Sequence, residues 1–524
     1  MTTKSLIANL KGSTGPTGPT GLPGVNAVAN DTATAGYVTT GGSATKTALD
    51  AAYAVRRDFD VKAYGAVGDG ITDDTTAIQS AITAMAAAHG RLVVPPGTYL
   101  SNGQTFTGLS NFAVDMQGTI LRKASSAAVP LLDFDTCTDV VIGTLRTNGN
   151  IANNNGTVDE SKHDVRIQGC TRFSATMIDS QNPSGDSVYI RNDSQDINIG
   201  TVRSISTGFT GRQAVSIIRG KRITIGTIDC LNTGYNGAPT SMPGGLDIEP
   251  NSATDVVDSV QVGQLIYTGA GSSGLSIFSN YGQIIYNVII GKVIINKLAG
   301  TPTAGTDVIV AGATNVFLAG IIHNNATTTN VCMSINNSDT VTIQAFLKGG
   351  SKGINIGSTV VVNNLTLTGS VKTCANHLIT IYNLTNALID MTLKNPANGF
   401  AVISKNAGGT SSNVKFKGNW AKDVSGSYAV HGGALTTGVT GWILQDVDFT
   451  GWPNTTRLFS GTILQAVQKI NCLNLTYGTA IPTSEYWGIG DIIYNTAPAS
   501  AGFIGWVCTA AGSPGTWKTF GLIS

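Results

Sequence analysis

The sequence predicts an all-β chain organised around a right-handed parallel β-helix, a solenoid of single-chain coils. Three observations carry the prediction. First, short strands with period-two alternation recur from about residue 130: VRIQG at 165, VYIRN at 188, VSIIRGKRITIG at 215, LDIEPN at 246, LSIFSN at 275, VIVAGATNVFLAG at 308 and MSINNSDTVTIQ at 333. Second, their first inward residues, Val165, Val188, Val215, Leu246, Leu275, Val308 and Met333, repeat loosely at about two dozen residues, the mark of a solenoid; Ile379 and Val402 fit less cleanly. Third, 64 glycines and turns rich in Asn, Gly, Ser and Thr suit a chain that turns often. A propeller would need four strands per roughly 40 residues, and leucine-rich repeats a fixed Leu/Asn pattern; neither is present. The solenoid is expected from residue 58 to 425, in about ten coils.

Composition excludes several functions. Apolar residues are 41% of 524, enough for a long core, whereas charged residues are 12%, about half the usual share. A net charge of +1 removes the electrostatic case for nucleic acid or an acidic membrane. No apolar run approaches the roughly 18 residues of a membrane span, and the opening MTTKSLIANLKGSTGP lacks a secretory h-region. The seven scattered cysteines are expected to be buried thiols, with neither a disulfide frame nor a zinc site.

Residues 1–11 are assigned as an attachment segment. In 12–26, glycine recurs at Gly12, Gly15, Gly18, Gly21 and Gly24, with Pro16, Pro19 and Pro23 between. Only glycine fits the axis of three wound chains, so this register predicts a collagen-like triple helix and a homotrimer; a flexible linker is the alternative. Residues 27–57 form a neck, in which SATKTALDAAYAV reads as a short helix. In 58–100, Thr72, Asp73 or Asp74 caps a helix with Ala77, Ile78, Ala81, Ile82 and Met85 on one face, ended by His89-Gly90 and followed by the strand Leu92–Val94. The aspartate cluster lacks EF-hand spacing and reads as capping, so no metal or other cofactor is expected.

Tyr64-Gly65-Ala66, Gly68-Asp69-Gly70, Thr72-Asp73-Asp74-Thr75, Ala77-Ile78-Gln79, Ala81-Ile82 and Pro95-Pro96-Gly97-Thr98-Tyr99 resemble the pectate-lyase-superfamily segment at the start of phage tailspikes and related β-helices. The resemblance implies fold, with the helix covering the open end of the solenoid.

Stacked coils align side chains into columns at about 4.8 Å per rung. One outward column runs Tyr189, Ser216, Asp247, Ser276, and the next Arg191, Ile218, Glu249, Phe278. Asp247 and Glu249 point outward from one strand and suit glycosidase acid and nucleophile or base, with crowding raising one pKa. Asp186 and Arg212, at strand starts of the preceding coils, can face the same patch, which makes Asp186 a third catalytic candidate and Arg212, with Tyr189, Arg191 and Gln213, a substrate-binding one. A lyase would want a cation and a base beside a uronate, for which Tyr189, Arg191 and Arg212 are candidates. A solvated acidic pair and a sugar-binding patch are the other readings of Asp247 and Glu249. His163 begins a coil and reads as a polar turn residue, with a catalytic base as the alternative. NTD, GHG and RIK signatures, a nucleophile elbow, a P-loop and paired zinc ligands are absent. GRQAVSI at 211–217 and GGLDIEPN at 244–251 resemble the "RQGISI … GIDIEP" pair of one tailspike-like group, which points to Arg212, Gln213, Asp247, Glu249 and Pro250.

All six tryptophans follow residue 415, marking a composition shift. Residues 426–484 are assigned as a transition region and 485–524 as a tip module, where GWVCTAAGSPGTWKTFG resembles a small β module that ends many phage tail proteins. Trp506 and Trp517 are candidates for stacking on sugar, with packing as the alternative. Together these features resemble a bacteriophage tailspike or tail fibre (minor tail) protein. The resemblance implies a virion component, assembled in the host cytoplasm and acting at the host surface. Its N-terminus would join the tail or baseplate, and its partners would be two identical chains and a host-surface polysaccharide, with neither nucleic acid nor membrane insertion. It implies glycan recognition, with depolymerase activity (glycoside hydrolase or polysaccharide lyase) or, alternatively, a non-catalytic receptor-binding or structural fibre.

Overall fold

The computed structural model describes residues 57–524, apart from 125, 155–158, 208–211, 233–242, 270–271, 298–304, 326–329, 395–400, 407, 422–427, 433–437, 450–458, 461–466, 471, 473–476, 484–486 and 513. The attachment segment, the glycine triplets and the neck helix lie outside the described residues.

The chain is a right-handed parallel β-helix. Each coil contributes a short strand to one sheet and a long strand to a second. Val188–Arg191 is followed by Ser194–Ile205, Val215–Ile217 by Gly220–Leu231, Leu246–Ile248 by Val257–Gly269, and Leu275–Phe278 by Ile285–Lys297. Every pairing within these two sheets is parallel to the coil before and after. The inward column of the short strands runs Leu132, Val165, Val188, Val215, Leu246, Leu275, Val308, Met333, Ile354, Ile379, Ile403 and Val430 without a slip. The expected column is therefore present from Val165 to Met333. It corrects one position: Ile403, not Val402, takes the rung beside Ile379, because Ala401–Lys405 is buried at every residue and alternation no longer marks the inward side.

Two backbone devices recur along the coils. One residue near the start of the long strand adopts the left-handed conformation in successive coils, from Asp139 (φ 57) and Arg172 (φ 55) to Asn386 (φ 54) and Asn413 (φ 56). Asn and Asp tolerate this region best. Their outward side chains bind coil to coil: Arg172 donates to Asp139 (2.6 Å), Arg222 to Asp196 (2.6 Å), Asn315 to Asn287 (3.1 Å) and Asn413 to Asn386 (2.7 Å). The second device is a glycine at the bend of the long strand. A Cβ on Gly226, Gly263 or Gly291 would lie within 2.6 Å of the glycine carbonyl oxygen one coil earlier, so only glycine allows the coils to close there.

The open end is covered by the helix Thr75–Ala88, whose Ile78, Ala81, Ile82 and Met85 are buried over the first coils. The aspartates beside it are all engaged by the chain. Asp73 accepts from the Thr75 backbone N–H (3.1 Å) and hydroxyl (2.5 Å), while Asp74 turns back to the N–H groups of Val67 (2.7 Å) and Gly68 (3.1 Å). All seven cysteines are buried free thiols.

Parallel pairing continues past residue 425. Ala401–Lys405 pairs with Tyr428–Gly432, and Trp442–Asp448 with Val467–Ile470. Trp420 and Trp442 fill this part of the core, edge-on to Phe416. Tyr477–Gly478, Ile492–Asn495, Phe503–Ala510 and Thr516–Leu522 form a separate four-stranded sheet.

Two substitutions test the register. Val215→Asp places an unpaired carboxylate at a fully buried rung and should cost several kcal/mol. Gly226→Ala should lower the melting temperature through the close approach described above, whereas an alanine at Gly282, which has no neighbour within 4 Å of its Cβ direction, would show only the milder effect of its positive φ. Melting of Val215→Asp like the parent would place that residue outside the core.

Candidate functional site

On the outer side of the short-strand sheet lies a cleft of about 590 Å³. Coil stacking builds its floor: Arg166, Tyr189, Ser216 and Asp247 occupy successive rungs of one column, below Asp133 and above Ser276. Residues at or just past the strand ends, Arg191, Ile218, Glu249 and Asn251, line one side. Residues just before the strands, Glu160, Ser161, His163, Asp186, Arg212 and Gln213, line the other. The cleft thus gathers Asp186, Tyr189, Arg191, Arg212, Gln213, Asp247 and Glu249, all singled out in the sequence. Trp506 and Trp517 do not line it. Trp506 lies in the C-terminal sheet paired with Ile493 and Thr519, and Trp517 packs edge-on against Trp487 at 5.1 Å.

Two carboxylates in the cleft have opposite electrostatics. Asp186 is fully buried, which alone would raise its pKa, but the Arg212 guanidinium and His163 outweigh burial and hold it at about 2. Arg212 Nε donates to Asp186 Oδ1 at 2.9 Å and its Nη1 to Glu160 Oε1 at 3.1 Å. Asp247 is pushed the other way, to about 7, first by burial and then by the neighbouring charge of Glu249; Gln213 and Ser276 act in the opposite direction. Gln213 Nε2 donates to Asp247 Oδ2 at 3.1 Å. Strand parity does turn Asp247 outward, yet it is only 2% exposed, so a freely solvated pair is not what this column presents.

Hydrogen bonding in the cleft is incomplete. Asp186 Oδ2, Gln213 Oε1, Ser216 Oγ and Asp247 Oδ1 are buried and have no hydrogen-bond partner. Each such group costs about 1–3 kcal/mol if left unmet, so the arrangement suits a ligand rich in hydroxyl groups. His163, read from sequence as a turn residue, is instead buried in the cleft. Its ring stacks on Tyr189 with centroids 4.0 Å apart and planes 9° apart, and its Nδ1 lies 3.3 Å from the Asp186 carboxylate. Arg166 is bidentate to Asp133 at 2.9 and 2.7 Å. Extending the Tyr189–Asp247 column upward by one coil would have found Arg166. Glu160 and Asn251 lie in segments without period-two alternation and carry no such signal.

The family described as "Rhamnogalacturonase A/epimerase, pectate lyase-like" matches residues 59–281. Mannuronan C5-epimerase AlgE5 of Azotobacter vinelandii is 51% identical over 47 residues, 9% of this chain and 5% of that protein; AlgE6 is 56% identical over 43 residues, 8% and 5%. The chain therefore spans a small fraction of the length of these relatives. Among solved structures, the AlgE6 A-module gives a TM-score of 0.39 at 14% identity, covering 79% of this chain and 99% of that one. The N-terminal fragment of bacteriophage phi29 gene product 12 gives 0.46 at 15%, covering 77% and 72%. Tailspike protein 3 of bacteriophage CBA120 gives 0.39 at 12%, covering 90% and 70%. Over residues 59–281, which include the whole cleft, the chain is similar to the pectate-lyase-like family.

Proposed function

We propose that the cleft binds a polysaccharide of a host cell surface and cleaves a glycosidic bond in it, with Asp247 as general acid and Glu249 as nucleophile or base. The observation that carries this reading is Asp247 itself: a carboxyl raised to about 7, beside a second carboxylate, at the floor of a cleft whose buried polar atoms lack partners. Near neutral pH it retains a proton to give to a leaving oxygen, while its neighbour supplies the second carboxyl that glycoside hydrolysis requires. Asp186, ionised and locked to Arg212, is a positioning residue in this reading: it fixes Arg212 and His163 beside Tyr189. Arg191, Arg212, Gln213 and Tyr189 would contact sugar.

Hydrolysis fits better than β-elimination. A lyase needs a cation and an accessible base; Arg191 is left to serve as the cation, but Arg212 is already paired with Asp186 and Glu160, and burial raises the Tyr189 phenol and so disfavours it as the base. The chain's place in a phage tail, with residues 1–11 attaching it and the solenoid acting at the host surface, belongs to the same proposal. It is supported by the resemblances at 64–99 and 485–524 and by the glycine triplets.

Purified protein incubated with host surface polysaccharide should shorten it, as read by size-exclusion chromatography. Asp247→Asn and Glu249→Gln should each slow this by about 10²–10⁴ while glycan binding survives. Binding without shortening by the parent would make the protein a receptor-binding fibre and would sink the catalytic assignment. Parent activity should fall as pH rises through about 7, where Asp247 loses its proton.

Stability gives an independent check. The folded-state pKa of Asp247 lies above its unfolded value near 3.9, so the folded state favours its protonated form and stability falls as pH rises through about 7. Asp247→Asn should therefore raise the melting temperature more at pH 8 than at pH 5. Asp186 has the opposite sign: its contribution is present above about 4 and is lost as pH falls towards 2. Asp186→Asn should cost up to about 3–5 kcal/mol at pH 7, moderated by the remaining Glu160–Arg212 contact. Equal shifts at both pH values for Asp247→Asn would contradict the raised pKa.

A further inference from the structure

Four buried polar side chains meet inside the solenoid, away from the cleft. Lys297 ends one long strand, Asp307 lies near the start of the next short strand, His323 is on the long strand that follows, and Asn330 stands just before the short strand after that. All four are almost wholly buried. The Asp307 carboxylate is their centre. Its Oδ1 is shared by two nitrogens, Lys297 Nζ at 3.1 Å and Asn330 Nδ2 at 2.9 Å. Its Oδ2 lies 2.7 Å from His323 Nε2, which fixes the orientation of the carboxyl group. The Asn330 carboxamide oxygen accepts in turn from the Gly305 backbone N–H at 3.2 Å.

An ion pair accounts for Lys297 and Asp307 but not for the way Asn330 is held. Its nitrogen rests on the carboxylate oxygen that also holds the amine, and its oxygen faces a backbone donor. Exchange between an amine and a carboxamide needs such an arrangement: a nucleophile, a polarised carbonyl, and one acid–base group that reaches both nitrogens. Burial also lowers the Lys297 pKa against the opposing pull of Asp307, which favours the neutral, nucleophilic amine.

We propose that Lys297 and Asn330 join through an isopeptide bond, with Asp307 carrying the protons and the Gly305 N–H stabilising the oxyanion. The Lys297 ammonium first passes a proton to Asp307. Neutral Nζ then bonds to Asn330 Cγ, and the negative charge that develops on the Asn330 oxygen falls on the Gly305 N–H. Asp307 gives its proton to Nδ2 and takes another from Nζ. The Cγ–Nδ2 bond breaks and ammonia leaves. One amide replaces another, so the step needs neither oxidant nor reductant, and the cluster stays neutral with the remaining proton on Asp307. A bond from Lys297 to Asp307 itself would consume the group that moves the protons. The Lys297–Asn330 bond brackets the whole coil between the two residues and is independent of the cleavage proposed for the cleft.

Mass spectrometry of the purified full chain tests the proposal. Digestion after denaturation should release Lys297 and Asn330 in one branched peptide, lighter by one ammonia than its two parts, and trypsin should not cut after Lys297. The intact chain should be lighter by one ammonia than its sequence requires, whereas Lys297→Met, which has no amine to react, should show its full mass. Recovery of Lys297 and Asn330 in separate, unmodified peptides from the parent would overturn the proposal. So would a peptide joining Lys297 to Asp307 with the loss of one water.

Discussion

Parallel hydrogen bonding between successive coils is the constraint on which the rest of this molecule depends. From Leu132 to Val430 the short strands stack without a slip in register. A residue's place in its coil therefore fixes both its face and its neighbours above and below. The left-handed residue near the start of the long strands favours one register, and where a glycine stands at the bend, as at Gly226, Gly263 and Gly291, a side chain would collide with the coil before. Columns then become the functional units: an aliphatic column for the core and a polar column for the cleft.

Charge burial follows the same logic. In the interior, Asp307 is surrounded by Lys297 at 3.1 Å, His323 at 2.7 Å and Asn330 at 2.9 Å, all brought together by the return segments of adjacent coils. Asp164 is held by the hydroxyls of Thr147 at 2.9 Å and Ser180 at 2.7 Å. Asp307 is compensated, as buried charge must be, whereas Asp164 keeps its Oδ1 without a hydrogen-bond partner and burial raises its carboxyl to about 6. In the cleft, compensation is uneven. Asp186 is held at Oδ1 by Arg212 but keeps its Oδ2 without a hydrogen-bond partner, whereas Asp247 accepts from Gln213 and sits beside another carboxylate. Two carboxylates driven in opposite directions within one cleft divide the roles of fixed charge and proton carrier.

Much of this was legible in the sequence. The inward column emerged from period two within strands and a loose repeat between them, and Tyr189, Ser216, Asp247 and Ser276 fell on one outward column by the same counting. Arg212 and Gln213 were reached through strand position and a resemblance in pattern. Burial was not legible. Parity places Asp247 outward, but Gln213, which donates to it, comes from a segment with no alternation, as do His163 and Asp186 elsewhere in the cleft. The His163–Tyr189 stack was missed for that reason, since nothing in SKHDVRI marks a ring that lies flat on the next coil. Val402 failed because a strand buried on both faces carries no period. The Lys297–Asp307–His323 cluster joins positions too far apart in the chain for spacing to reveal.

The central claim is that coil stacking builds a sugar site at Asp247. A crystal structure of Asp247→Asn soaked with an oligosaccharide cut from the host surface polysaccharide tests it most directly. The account predicts sugar in the cleft, with hydroxyls on Gln213 Oε1 and Ser216 Oγ and a glycosidic oxygen facing residue 247. Sugar bound instead on the C-terminal sheet around Trp506 and Trp517, with the cleft empty, would contradict it.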